Sequence, residues 1–396
     1  MRLMVVSTAC LLGVNRAAYR HLAVDHNVTL HLVVPVRSSE AMRHGGISSV
    51  GGEPFPVTAL EMSGLHPRLE RAKGLKSLIR SWKPSHLLLE FDPATLTVLD
   101  AAQASRHLNA SLSVVALENR PRSFIREALQ GMKHAQLKIM VGGVIAWWLL
   151  WSVRHRIQHV FTVSRDGTDA MAQLGFAGRI AKIPLGFDAR LFYPQTKPQV
   201  AATRQRIGLH SITIAYFGRL IPEKGVHLLV QSLATLADLR WQFLIDKFST
   251  YRTAYEVQLQ SQIQTLGLTS RVVYFDATHS EIPDYMNAAD IVVLPSIETP
   301  KFKEQYGRVV PEAMACGKIV VGSQSGTIPE LIGEAGFIFP EGDVSGLAEI
   351  LRNLLTAPEA ELCSMRTRAV ERAHAYLGAA RQAEAIYHVL DGASVR

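Results

Sequence analysis

The chain has 396 residues, 48% hydrophobic and 19% charged. That composition excludes a disordered chain, and the length exceeds one ordinary core, so two domains are expected. The formal net charge of +8 and a pI near 9.4 suit an anionic partner, whether a nucleotide, a nucleic acid or an acidic membrane surface.

The opening run, MRLMVVSTACLLGV, has one Arg ahead of a mostly apolar stretch. Its charged region is too thin for a signal peptide, and Ser7 and Thr8 interrupt the apolar run, so a first buried strand is expected. Ser7 also spoils a lipoprotein-type box before Cys10. The apolar runs VTLHLVV (28–34), HLLLEF (86–91), LSVVAL (112–117) and HVFTVS (159–164) read as further buried strands. Helical patterns such as PATLTVLDAAQASRHL lie between them, and βαβ alternation implies a parallel sheet covered on both faces. The Gly/Ser-rich loop 44–54 carries neither GxGxxG nor a Walker pattern and is expected to be flexible. The three cysteines, Cys10, Cys316 and Cys363, show no paired or metal-binding spacing, which points to the reducing cytoplasm.

Residues 138–156, KIMVGGVIAWWLLWSVRHR, are the oddest segment. The uncharged part, 139–153, is short for a membrane span, which needs about 20 apolar residues. Trp147, Trp148 and Trp151 cluster near one end, and Lys133, Lys138, Arg154 and Arg156 flank the run. Trp with flanking cations suits a membrane interface; an apolar stretch of this length also suits a buried helix. Both readings stand at this point.

Residues 191–210 contain two prolines with polar spacing and read as a linker leading into a helical turn. Strand patterns restart at ITIAYFGRL (212–220) and recur at WQFLID, RVVYFD, DIVVLPS, KIVVGS and GFIFP, which makes a second doubly wound domain over 211–375. The first domain covers 1–190. The Ala/Glu/Arg-rich tail (359–391) is helical, and its last part, about 376–396, is expected to pack back on the first domain.

In open α/β sheets, ligands collect beyond the carboxyl ends of strands. Three strand ends here carry suitable chemistry. In FGRLIPEKGV (217–226), Gly218 allows close backbone approach, while Arg219 and Lys224 bring two cations to a helix start, as a diphosphate needs. A solvated turn would look the same in isolation. In KEQYGRVVPEAMACG (303–317), Glu304 precedes a helix expected from about Gly307, and Glu312 lies in its first two turns, with Pro311 in a first-turn position. Backbone N–H groups near Tyr306–Val309 face an anion, and the two carboxylates are good acceptors for the vicinal diols of a ribose or hexose. Taken alone, the pair equally fits two surface glutamates. In SGTIPEL (325–331), Ser325, Gly326 and Thr327 offer backbone and hydroxyl donors, or simply cap a helix.

These pieces, in this order and spacing, resemble the family-4-like retaining glycosyltransferases of the GT-B fold, with the E-x7-E signature formed by Glu304 and Glu312. HVFTVSRDGTDAMAQLGF and KIPLGFDARLFYP in the first half also fit, and TPKFKEQYGRVVPEAMACG is similar to a bacterial surface-polysaccharide subgroup. The resemblance implies two Rossmann-like domains facing across a cleft, an acceptor-binding N-terminal domain and a nucleotide-sugar-binding C-terminal one. It implies that Glu304 holds the donor sugar, that Glu312 binds the ribose, and that Arg219 and Lys224 neutralise the diphosphate leaving group beside Gly218. Gln305, Tyr306, Gly307, Arg308 and Val309 then contact sugar and phosphate.

The donor is expected to be UDP- or GDP-linked, with no metal, since no D-x-D occurs. The expected acceptor is a glycan or lipid-linked precursor at the inner face of the cytoplasmic membrane, with peripheral contact through 138–156 and no nucleic acid partner. Three departures bear on the sugar and base. Gly13 alone stands where many relatives have Gly-Gly, Glu118 and Asn119 follow LSVVAL where a His is common, and Asp246-Lys247-Phe248 replaces a Gly-rich turn. The rival readings are a GT-B nucleotide-sugar epimerase, a soluble glycosyltransferase making a small metabolite, a Rossmann dehydrogenase, disfavoured by the missing GxGxxG, and a non-catalytic sugar-binding subunit of a membrane complex.

Overall fold

A computed structural model describes residues 1–36, 52–64, 66–120, 123–124, 129, 132, 137–247, 253–300 and 302–392. Most of the glycine-serine loop (44–51), Lys133 and Phe248 lie outside the described residues. The chain divides into two units, Met1–Pro184 with Ala379–Arg396, and Leu185–Gly378.

In the first unit the strands are β1 (Arg2–Ser7), β2 (Thr29–Pro35), β3 (Val57–Leu60), β6 (His86–Glu90), β7 (Ser111–Ala116), β8 (Ile157–Thr162) and β9 (Ile180–Lys182). They form one parallel sheet in the order β3-β2-β1-β6-β7-β8-β9. A short antiparallel ribbon, β4 (Met62–Ser63) with β5 (Arg71–Ala72), stands apart from it. Alternate residues, Met4 and Val6, Leu87 and Leu89, Leu112 and Val114, feed one core, because successive strand residues face opposite ways. The helices Leu75–Trp82, Leu96–Ala104 and Leu137–Val153 supply the other half of that core.

Helix Leu137–Val153 combines features of both readings of the apolar segment. Ala146, Leu149, Leu150 and Val153 are buried in the core, whereas Val141, Val144, Trp147, Trp148 and Trp151 lie on the other face with 43–55% of their surface exposed. It is a core helix whose tryptophans are not core. No helix among the described residues is long and apolar enough to cross a membrane.

The second unit repeats the topology. Strands β10 (Thr213–Tyr216), β11 (Gln242–Asp246), β12 (Val272–Phe275), β13 (Ile291–Leu294), β14 (Ile319–Ser323) and β15 (Phe337–Phe339) pair in parallel in the order β12-β11-β10-β13-β14-β15. The strand order reverses between β10 and β13, and a crevice forms at such a point beyond the carboxyl ends.

One boundary differs from expectation. Residues 191–210 are not a linker but part of the second unit. Lys197–Ile207 is a full helix, opened by a capping box between Thr196 and Gln199 and closed by Gly208 in the left-handed region. Gln195 ties it down, its N–H donating to Asn287 Oδ1 (3.0 Å) and its side chain to Asp284 (2.5 Å). The helical tail breaks at Gly378. Glu359–Arg372 belongs to the second unit, and Ala379–Leu390 to the first.

That last helix packs on Ala17–Val24, burying Ala379, Ala383, Ile386 and Leu390 at helical spacing, with Tyr387 stacked on His26. Ile386 is fully buried. Ile386→Ala should therefore cost about 2–5 kcal/mol, read as a lower urea midpoint of the first unit's transition.

Candidate active site

The site is built on the carboxyl ends of β10, β13 and β14. After β10 the chain turns at Gly218 (φ 138°), where Tyr216 Oη donates to the Arg219 carbonyl at 2.7 Å. The turn leaves the Arg219 side chain exposed. A single 3-10 turn, Pro222–Lys224, leads to Gly225 (φ 65°), which opens helix Val226–Ala234. No other residue fits there. A Cβ on Gly225 would sit 1.9 Å from the Pro295 carbonyl oxygen, just past β13. The Ile297 N–H donates to Glu223 O at 2.8 Å, so the loop after β10 is fastened to the loop after β13.

Glu304 is 6% exposed. Its Oε2 accepts from Lys224 Nζ at 2.5 Å and from Ser296 Oγ at 3.0 Å. The Lys224 ammonium also lies 5.4 Å from the centre of the Phe302 ring. The sequence named Glu304 and Lys224 separately; the fold joins them, with Ser296 as a partner that motif spacing did not single out.

Part of the SGT turn packs against the Glu304 segment. A Cβ on Gly326 would lie 2.0 Å from the Glu304 carbonyl oxygen, and Thr327 Oγ1 donates to Gln305 O at 2.6 Å. Ser323 Oγ donates to Ser296 O at 2.5 Å. The Thr327 hydroxyl thus clamps the peptide behind Glu304 instead of reaching toward a ligand.

The helix itself is Val309–Ala315, and Pro311 sits in its first turn, where a missing N–H costs nothing. It starts two residues later than expected, because Gly307 takes φ 70° and turns the chain into it. Tyr306 is buried, Gln305 is exposed, and Arg308 and Val309 are half-buried. Glu312 lies on this helix with its carboxylate 3.7 Å from Arg308 Nε. Burial pushes the Glu312 carboxyl up to about 7, against the pull of Arg308.

In the first unit, Gly13 belongs to a short turn, Gly13–Arg16, and its carbonyl accepts from Arg20 Nη2 at 2.8 Å. Arg20 also grips Glu53 at 2.7 and 2.8 Å, and the fully buried Arg16 donates to Cys10 O at 2.7 Å and Glu53 at 3.3 Å. Asn119 is buried, and the Glu118 N–H donates to Asp92 Oδ1 at 3.3 Å. Among the described residues no group of three or more His, Cys, Asp and Glu is placed to hold a metal ion.

Residues 202–375 match the family described as "Glycosyl transferases group 1". The chain is similar to the D-inositol 3-phosphate glycosyltransferase of Corynebacterium glutamicum (strain R), 29% identical over 52% of this chain and 50% of that one. It is also similar to the GDP-mannose-dependent monoacylated alpha-(1-6)-phosphatidylinositol monomannoside mannosyltransferase of the same species, 31% identical over 44% and 47%. The chain thus spans about half the length of the curated relatives it matches. Its structure is similar to that of Anabaena HepE in complex with UDP-glucose, with a TM-score of 0.71 at 19% identity, covering 99% of this chain and 100% of that one. That likeness shows the fold: GT-B, with two Rossmann-like domains.

The raised Glu312 carboxyl has a consequence for stability. A carboxyl higher in the folded than in the unfolded chain binds more protons when folded, so its ionisation opposes folding as pH rises from the ordinary glutamate value to about 7. Glu312→Gln should therefore melt above the wild type at pH 8, and the gap should narrow at pH 5. A gap that does not change with pH would contradict the buried-carboxyl assignment.

Proposed function

We propose that this chain is a retaining hexosyltransferase that moves a hexose from a UDP- or GDP-linked donor to a polysaccharide or glycolipid precursor. The observation that carries the reading is Glu304, a buried carboxylate held by Lys224 and Ser296 where the sheet order of the second unit reverses. The group 1 match over 202–375 covers this site.

The chemistry follows from the residues. Breaking the anomeric bond leaves negative charge on the diphosphate. Lys224 has three N–H bonds and spends one on Glu304, so two remain for phosphate oxygens. Exposed Arg219 adds a second cation, and the left-handed Gly218 lets the backbone come close. One lysine therefore links the carboxylate that orients the sugar hydroxyls to the group that leaves. Glu312 accepts from the ribose diol. These cations do the work a metal does elsewhere, so transfer is proposed to be metal-independent and to survive EDTA.

Glu304→Gln should cut turnover by at least 100-fold while nucleotide affinity, measured by calorimetry, stays near wild type. Glu312→Gln should instead weaken nucleotide binding, by the roughly 1.5–3 kcal/mol of a charged hydrogen bond. The reverse pattern would sink the assignment. NMR of the new linkage should show the donor's anomeric configuration kept.

The acceptor is proposed to be lipid-linked and met at the inner face of the cytoplasmic membrane, because Trp147, Trp148 and Trp151 stand exposed on one helix face. Replacing all three by Ser should abolish sedimentation with liposomes and leave the melting temperature nearly unchanged, since they are not core. The likeness to the D-inositol 3-phosphate enzyme favours a second reading, a soluble enzyme with a small acceptor. Product analysis with lipid-linked and water-soluble acceptors decides between them.

A further inference from the structure

The three helices on the core-bearing face of the first unit are unlike on their outer sides. Leu75–Trp82 packs beside Leu96–Ala104, which packs beside Leu137–Val153. The last of these carries the tryptophans. At its side lies an apolar groove of about 410 Å³, lined by Phe124, Leu129, Met132, Met140, Val144 and Trp147 among others.

At the first helix the surface is cationic. A second groove, of about 500 Å³, runs between ribbon β4–β5 and helix Leu75–Trp82 and is lined by Arg71, Lys73, Lys76, Arg80 and Asp100, with Ser63 and Ser77. Asp100, 5% exposed, organises one wall, with Lys76 Nζ 2.9 Å from Oδ1 and Arg71 Nε 3.4 Å from Oδ2. Lys76 also donates to Gln103 at 2.8 Å, which fixes its head. Lys73 meets Glu61 at 2.9 Å, but both side chains are more than 60% exposed, so solvent screens that pair. Arg80 is exposed. Four cations therefore line this groove with one buried carboxylate, Asp100, and Lys73 also meets the exposed Glu61. The Arg68 guanidinium lies 5.0 Å from the centre of the Phe124 ring, which lines the apolar groove.

We propose that the groove of Arg71, Lys73, Lys76 and Arg80 seats the phosphate of an anionic membrane phospholipid while the Trp147, Trp148 and Trp151 face enters the bilayer interface. The inference rests on the membrane reading above and names its partner. Charge complementarity selects the occupant. A zwitterionic surface leaves the groove's excess positive charge unanswered, and an anionic one neutralises it, with attraction confined to about a Debye length. Arg80 and Lys73 contribute most to it, since Arg71 and Lys76 are engaged with the buried Asp100 and solvent screens the Lys73–Glu61 pair.

The test uses the full chain and two vesicles, phosphatidylcholine alone and phosphatidylcholine mixed with phosphatidylglycerol. Lys73→Gln/Arg80→Gln leaves both Asp100 pairs intact, and a melting curve checks its fold. Wild type should partition more strongly onto the anionic vesicles. The double variant should lose roughly 10–30-fold there and keep the weaker wild-type binding to neutral vesicles. The Trp147→Ser/Trp148→Ser/Trp151→Ser variant should lose both. A double variant that keeps the full anionic preference overturns the phosphate seat and leaves the membrane reading standing. A wild type that ignores both vesicles overturns the membrane reading and the seat with it. If inorganic phosphate raises the melting temperature of wild type but not of the double variant, and vesicle binding is equal in the two, the groove takes a free phosphate and the lipid assignment is wrong.

Discussion

The site of the second unit depends on one contact, the ion pair of Lys224 and Glu304. An unpaired carboxylate at this depth would bear a desolvation cost of several kcal/mol or take up a proton. With Lys224 at 2.5 Å and Ser296 at 3.0 Å, Glu304 is held in place by two donors. The arrangement of three loops serves that pairing. The β10 loop carries Lys224, the β13 loop carries Ser296 and Glu304, and the β14 loop backs the Glu304 peptide.

Two glycines make the loops inseparable. Gly225 lets the first loop lie against Pro295, and Gly326 lets the third lie against Glu304, at separations no side chain survives. The left-handed backbone at both positions carries no steric cost for glycine. The geometry of the acid is thus set by backbone contact, which is stiffer than side-chain packing and leaves little room for the carboxylate to drift. Precise placement of this kind is what differential binding of a transition state requires.

The sheet strands are legible where they are continuous apolar runs, as in β1, β2, β6 to β8 and β10 to β15. Strand β3, half-buried along its length, and β9, three residues long with an exposed lysine at its end, carry too short a run to read. Helix Lys197–Ile207 reads as a linker because it is polar nearly all round, with Thr203 its one buried residue; its caps, not a hydrophobic stripe, mark it. At the site, the motif residues were legible one by one. Their pairing was not, since Lys224 and Glu304 lie 80 positions apart and only the parallel crossover brings them together. Gly225 and Gly326 read as ordinary turn glycines, because nothing in a single sequence tells which backbone will press against them.

The first unit's exposed helix face also gives the molecule an optical asymmetry. Of the five tryptophans in the chain, three stand on that face, half in water. Trp241, in contrast, is 2% exposed, donates its indole N–H to Leu236 O at 2.8 Å and lies beneath Arg271 in the core of the second unit. Water-exposed indoles emit to the red and enclosed ones to the blue. The long-wavelength side of the emission spectrum therefore belongs mainly to one surface of the first unit, and part of the short-wavelength side to the interior of the second. The exposed face of the first unit and the core of the second thus carry built-in dyes of different colour, so events at that surface and loss of the second core leave different marks on the spectrum of one unlabelled sample.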